Sequence, residues 1–137
     1  MSSESAQIIT IVAALVLDSG KALLVRKRGT RAFMQPGGKV HADETPCETL
    51  DRELREELGC GIVPGTERLV GHYKGPAANE PRAILHAALY AVELAGEAAP
   101  LAEIEEMLWL DLDMPARVEL APFTEQFVLP RARGLMT

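Results

Sequence analysis

Three glutamates, Glu53, Glu56 and Glu57, stand at i, i+3 and i+4 in a stretch with helical spacing. On a wheel of about 100° per residue they occupy an arc of about 100°. Cys47, Leu50, Leu54 and Leu58 fill the adjoining arc of about 80°. The acids therefore lie at the border between core and water. Like charges at this spacing repel by roughly 0.2–0.5 kcal/mol per pair. A divalent cation offsets that repulsion. Mg²⁺ takes hard oxygen ligands, keeps several waters, and is usually held by carboxylates together with substrate phosphates. Such a site neutralises charge on a transferring phosphoryl group and helps ionise an attacking water. A solvated acidic helix face shows the same bare pattern, so the surroundings decide.

The elements around these acids read clearly. Thr45 can cap the helix, Pro46 suits its first position, Glu48 completes a capping box, and Gly59 ends it. Upstream, residues 8–17 predict a mostly buried strand. Asp18-Ser19-Gly20-Lys21 signals a turn, and residues 22–26 a second strand, the pair resembling a hairpin. Residues 29–39 read as a loop containing Pro36-Gly37-Gly38, with a short extended piece near Phe33. Downstream, strands are predicted over 67–73 and 82–93, flanking a loop at 74–81. A short strand at 107–110 and a second helix at 122–129 follow. The expected class is α/β, or α+β by stricter counting, with a mixed sheet covered on both faces.

Composition sets the frame. A chain of 137 residues fits one domain, expected over 1–137, and needs no disulfide to fold. Cys47 and Cys60 are its two cysteines, and the start lacks the basic pattern of a targeting signal, so a reducing cytoplasm is expected. The apolar run 11–17 is too short to span a bilayer. A net charge of −6 offers no broad basic field for polymeric nucleic acid or a membrane surface. A small phosphorylated ligand remains compatible when metal lies between carboxylates and phosphate.

Gly38, Glu44 and the run Arg52-Glu53-Leu54-Arg55-Glu56-Glu57-Leu58-Gly59 resemble the Nudix box, Gly-x5-Glu-x7-Arg-Glu-U-x-Glu-Glu-x-Gly-U with U aliphatic. Only the last position departs, where Cys60 stands for an aliphatic residue and serves as a small hydrophobe. Chance agreement is on the order of 10⁻⁹ per starting point. The resemblance implies a Nudix-type α/β/α sandwich with a catalytic loop–helix–loop. It implies Mg²⁺, or alternatively Mn²⁺, held by Glu53, Glu56 and Glu57, with Glu56 or Glu57 able to take a proton from water. A backbone carbonyl of Gly37-Gly38 would be a further ligand, the glycines permitting close approach. Arg52 would orient the carboxylates, and Glu44 would support the loop or an outer-shell metal.

Family members often recruit a later acid as general base. The stretch Glu103-Ile104-Glu105-Glu106-Met107-Leu108-Trp109 resembles the family's Glu-Ile-x-Glu-x-x-Trp, making Glu103 and Glu106 candidates beside the reading of a solvated loop. Trp109 fits a core position better than a base-stacking one. Arg26, Lys27 and Arg28 end the second strand, where they either contact phosphate or blunt a strand edge. Lys39 carries the same two readings. His41, His72 and His86 show no metal-ligand spacing.

The box specifies phosphate chemistry and not the attached group. Small members with little beyond the core fold act on nucleoside triphosphates, including oxidised ones, and that is the leading expectation. Pro76, sixteen residues beyond Cys60, resembles members that hydrolyse ADP-ribose, so sugar nucleotides are the alternative. A non-catalytic Nudix module that binds a nucleotide or partner is a reading of another class, disfavoured by the complete glutamate set. An isomerase acting on isopentenyl diphosphate lacks its added segments here. Family members are often dimers, so pairing of two chains is a further expectation.

Overall fold

The computed structural model describes residues 7–77 and 80–135. Among the described residues the strands and α-helices are β1 Gln7–Leu15, β2 Leu17–Asp18, β3 Lys21–Lys27, β4 Gly37–Lys39, α1 Pro46–Leu58, β5 Arg68–Pro76, β6 Ala83–Ala91, β7 Ile104–Asp111 and α2 Leu129–Leu135. They build two sheets, ordered β4-β1-β6-β5 and β2-β3-β7. The first is mixed, β1 running parallel to β6 and antiparallel to β4. The mixed α+β class agrees with the sequence expectation.

Strand β1 is apolar on both sides because it is covered on both sides. Val12 and Ala14 pack with Leu50, Leu54 and Leu58 of α1. Ala13 and Leu15, pointing the other way, pack with Phe127, Val128 and Ala132 of the C-terminal helix. The three leucines of α1 are fully buried, and the helix begins and ends where its caps require. The Thr45 hydroxyl accepts from the Glu48 N–H, the Glu48 carboxylate accepts from the Thr45 N–H, and Gly59 closes the helix at φ 80°. Cys47, placed on the core face by the wheel, is only half-buried at the first turn.

Several expectations need correction. The expected single sheet is two, because the hairpin between the first strands is short. β3 pairs with Leu17 and Asp18 only, the Leu23 N–H bonds to the Val16 carbonyl, and β3 then runs beside β7. Part of the expected loop at 29–39 is β4, which carries no apolar period and pairs through its backbone. Just before it, Met34 exchanges hydrogen bonds with Val25, and the Pro36 carbonyl accepts from the Ala14 N–H. This segment therefore straddles both sheets. Lys74, Gly75 and Pro76, expected in a loop, continue β5, and β7 is longer than its expected 107–110. The expected helix at 122–129 continues to Leu135 through a π-helical turn at Thr124–Val128. There the Leu129 N–H reaches back to the Thr124 carbonyl. Pro130, which lacks an N–H and crowds the preceding turn, accounts for the widened register.

Candidate active site

The straddling segment sets Gly37-Gly38 against α1. The Gly37 N–H donates to Glu57 Oε1 at 3.2 Å. A Cβ on Gly38 would overlap the carboxyl group of Glu53, and one on Gly37 would overlap the Val12 carbonyl. The double glycine is thus required by contact with a side chain at one position and with backbone at the other. Glu57 is 7% exposed, the Glu53 side chain 18% and the Glu56 side chain 55%. That order follows their angular distance from Leu50 on the wheel.

Arg52 ties the acids into one network. Its Nε and Nη2 donate to the two oxygens of Glu44, both at 3.0 Å, a bidentate pair. Its Nη1 donates to Glu53 at 3.2 Å and reaches Glu56 at 3.5 Å. The hydroxyl of Thr49, a fully buried residue, donates to Glu44 at 2.8 Å. Through the Arg52 and Thr49 hydrogen bonds, Glu44 is held down to a pKa of about 2. His41 also approaches Arg52, at 3.3 Å.

Glu57 shifts the other way. Burial pushes its pKa up to about 7, against the lowering effects of the Gly37 N–H and of Lys27, while Glu53 and Glu103 raise it further. At neutral pH this carboxyl sits between its two protonation states.

The other candidate residues divide into two groups. Lys39 lines a cleft of about 190 Å³ together with Gly37, Gly38 and Lys27. Glu103 lies near enough to Glu57 to act on it electrostatically, and the turn that carries it is fixed to α1 by the Leu101 N–H, which donates to the Glu57 carbonyl. Arg26 and Glu106 instead bind each other across β3 and β7, at 2.7 and 2.8 Å, and Arg26 also donates to the Thr30 carbonyl. Arg28 donates to the Ala102 carbonyl and faces Glu105 at 3.5 Å. A bulge between Arg26 and Lys27 breaks the strand register there, so that Lys27 is the strand-end cation in the cleft. Trp109 packs against the core on the α1 side. Sequence reasoning missed Thr49 and Gln35, both buried polar residues with no local signature.

Among the described residues no three His, Cys, Asp or Glu side chains are gathered closely enough to cage a metal ion. Glu53 lies against Gly38 and Glu57 is bonded to the Gly37 N–H, and both acids offer hard carboxylate oxygens. Mg²⁺ needs only one or two protein carboxylates when phosphate supplies the rest. The donor set fits such an ion.

A family model, the NUDIX domain, matches residues 8–129. The RNA pyrophosphohydrolase of Halorhodospira halophila is 52% identical over 44 residues, spanning 32% of this chain and 24% of that protein. Among solved structures, the E. coli ORF135 protein superposes with a TM-score of 0.72 at 26% identity, covering 99% of this chain and 94% of that one. The MutT protein of Methanosarcina mazei Go1 superposes at 0.75 and 24% identity, covering 96% and 98%.

Proposed function

This chain is a member of the Nudix family, and from that premise we propose that it is a Mg²⁺-dependent hydrolase of pyrophosphate bonds in nucleoside-diphosphate-linked substrates. Nucleoside triphosphates lead, giving a monophosphate and pyrophosphate. The observation that carries the reading is the buried Glu57, bonded to Gly37 and beside Glu53 and Lys27. A structural glutamate is seldom buried with no full ion pair. A cation binding site supplies the missing compensation.

Glu53 and Glu57, with Glu56 on the same helix and a carbonyl of Gly37-Gly38, would hold the metal. When bound, the ion neutralises charge on the diphosphate and lowers the pKa of a bound water. The chain's own groups do the rest. Lys27 and Lys39, which line the cleft with Gly37 and Gly38, draw the phosphates to it. Arg52 holds Glu44, Glu53 and Glu56 in one arrangement, so little reorganisation is needed on binding. Glu103 is the general base of this mechanism, since it stands near Glu57, whereas Glu106 is engaged with Arg26.

A second reading, ADP-ribose or sugar nucleotides, draws support from Pro76, which ends β5 on the wall of the same cleft. A release assay over nucleoside triphosphates, ADP-ribose, sugar nucleotides and dinucleoside polyphosphates, with and without Mg²⁺, tests both. Metal-dependent turnover of nucleoside triphosphates is expected. No turnover of any of them, with Mg²⁺ binding intact, overturns the hydrolase reading in favour of a binding module.

A further inference from the structure

The turn that carries Glu103 is held in a conformation its sequence does not favour. Residues 101–104 close a tight turn, with the Ile104 N–H donating to the Leu101 carbonyl at 2.9 Å. Ala102, the first central residue, has φ 54°, while Glu103 stays outside the positive-φ region. That is the pattern of a type II′ turn, whose first central position is normally glycine. A residue with a Cβ is strained there. Relief of the strain would rotate Ala102 about its backbone bonds and displace the peptide that leads into Glu103. Strain of this kind persists only where the surroundings over-determine it, and it gathers at functional sites.

Two neighbours hold the turn. On one side, the Leu101 N–H donates to the Glu57 carbonyl at 2.9 Å and the Ala99 N–H to the Leu58 carbonyl at 3.0 Å, docking the segment on the last turn of α1. On the other side stands Arg28, the residue after β3. Its backbone N–H donates to the Glu103 carbonyl at 2.8 Å, and its Nη2 donates to the Ala102 carbonyl at 3.2 Å. Glu105, 3.5 Å from Nε, steers the guanidinium. The Ala102 carbonyl belongs to the peptide that relief of the strain would displace. We propose that Arg28 is a positioning residue: by holding this carbonyl it keeps the strained turn in place, and so keeps Glu103 beside Glu57. This rests on the reading of Glu103 as general base given above and deepens it. Arg28 has a different task from its neighbour Lys27, which lines the cleft. A contact to substrate phosphate and a hold on the turn predict different kinetics, because the first acts on binding and the second on the chemical step.

With Mg²⁺ and a nucleoside triphosphate, Arg28→Ala should lower kcat roughly tenfold and nearly keep KM, since a displaced general base slows the chemical step alone. Ala102→Gly removes the Cβ that strains the turn, so the double variant Arg28→Ala, Ala102→Gly should recover most of the lost kcat. On the residual activity of Glu103→Gln, Arg28→Ala should cost nothing further, because its effect runs through that acid. A rise in KM that Ala102→Gly does not reverse marks a phosphate contact and overturns the proposal. An equal loss of kcat with and without Glu103 overturns it too. Hydrogen exchange on the metal-free protein, followed by NMR, reads the turn without any turnover. Arg28→Ala should speed exchange of the Leu101 and Ile104 amides and leave that of Leu54 unchanged, and adding Ala102→Gly should slow it again. Unchanged exchange at Leu101 and Ile104 overturns the proposal. Faster exchange there in a protein that cleaves no nucleotide supports the hold on the turn and counts against the hydrolase reading alone.

Discussion

Glu57 accepts a hydrogen bond from the Gly37 N–H at 3.2 Å, joining the last turns of α1 to the first residue of β4. This single contact brings the helix acids and the glycine backbone to one place. It also leaves a carboxyl buried with weak compensation, and much of the chemistry follows from that imbalance.

Removing the acid while keeping the shape should separate function from fold. Glu57→Gln is expected to lose activity by orders of magnitude, with an unchanged far-ultraviolet circular dichroism spectrum. Leu50, Leu54 and Leu58 still anchor the helix in that variant. Near-normal turnover would remove Glu57 from the metal site.

The raised pKa of Glu57 has a definite sign in stability. The folded state holds this proton up to about pH 7, while the unfolded chain releases it near 4.5. Stability from this group is therefore full below pH 4.5 and is lost as pH rises through 7. In metal-free protein at pH 8, Glu57→Gln should be more stable than wild type by about 2–3 kcal/mol, and the gain should shrink towards pH 4. Urea melts at the two pH values measure it. Saturating Mg²⁺ should favour the ionised wild type and reverse the order.

The two glycines should fail differently. Gly38→Ala sets a methyl against the end of the Glu53 side chain, which can swing away. Mg²⁺ affinity by titration calorimetry should fall at least about tenfold, with the melting temperature nearly kept. Gly37→Ala meets the Val12 backbone at φ 151°, so it should destabilise the fold itself. Identical melting curves for the two variants would contradict this division.

Arg52→Lys retains the charge and loses the fork that grips both oxygens of Glu44. Activity should drop roughly 10–100-fold, as for other residues that orient metal ligands. The loss should appear in kcat and in Mg²⁺ affinity together.

Leu54→Ala removes a fully buried side chain between α1 and β1. A cost of about 2–5 kcal/mol is expected in denaturant unfolding. A cost below 1 kcal/mol would mean that α1 is not packed as described.

The α1 segment was legible in the sequence because its determinants are local. Thr45, Pro46, Glu48 and Gly59 act within a turn of the ends they cap. The wheel set the three acids beside the core face, and the structure ranks them, Glu57 deepest and Glu56 outermost, since one periodicity fixes every side chain on a helix. The family likewise followed from the box, and the family's domain model matches residues 8–129. The tertiary structure decided what depends on distant partners. Residues 37–39 have no apolar period, and become a strand only because β1 offers its backbone edge. Neighbouring residues on a strand face opposite ways, so the pairing with β7 and its bulge determined that Lys27, not Arg26, enters the cleft. Thr49 and Gln35 look like surface residues in sequence. They are buried because a loop folds over one and the C-terminal helix closes on the other, and no local pattern encodes contacts between residues as far apart as Gln35 and Thr124.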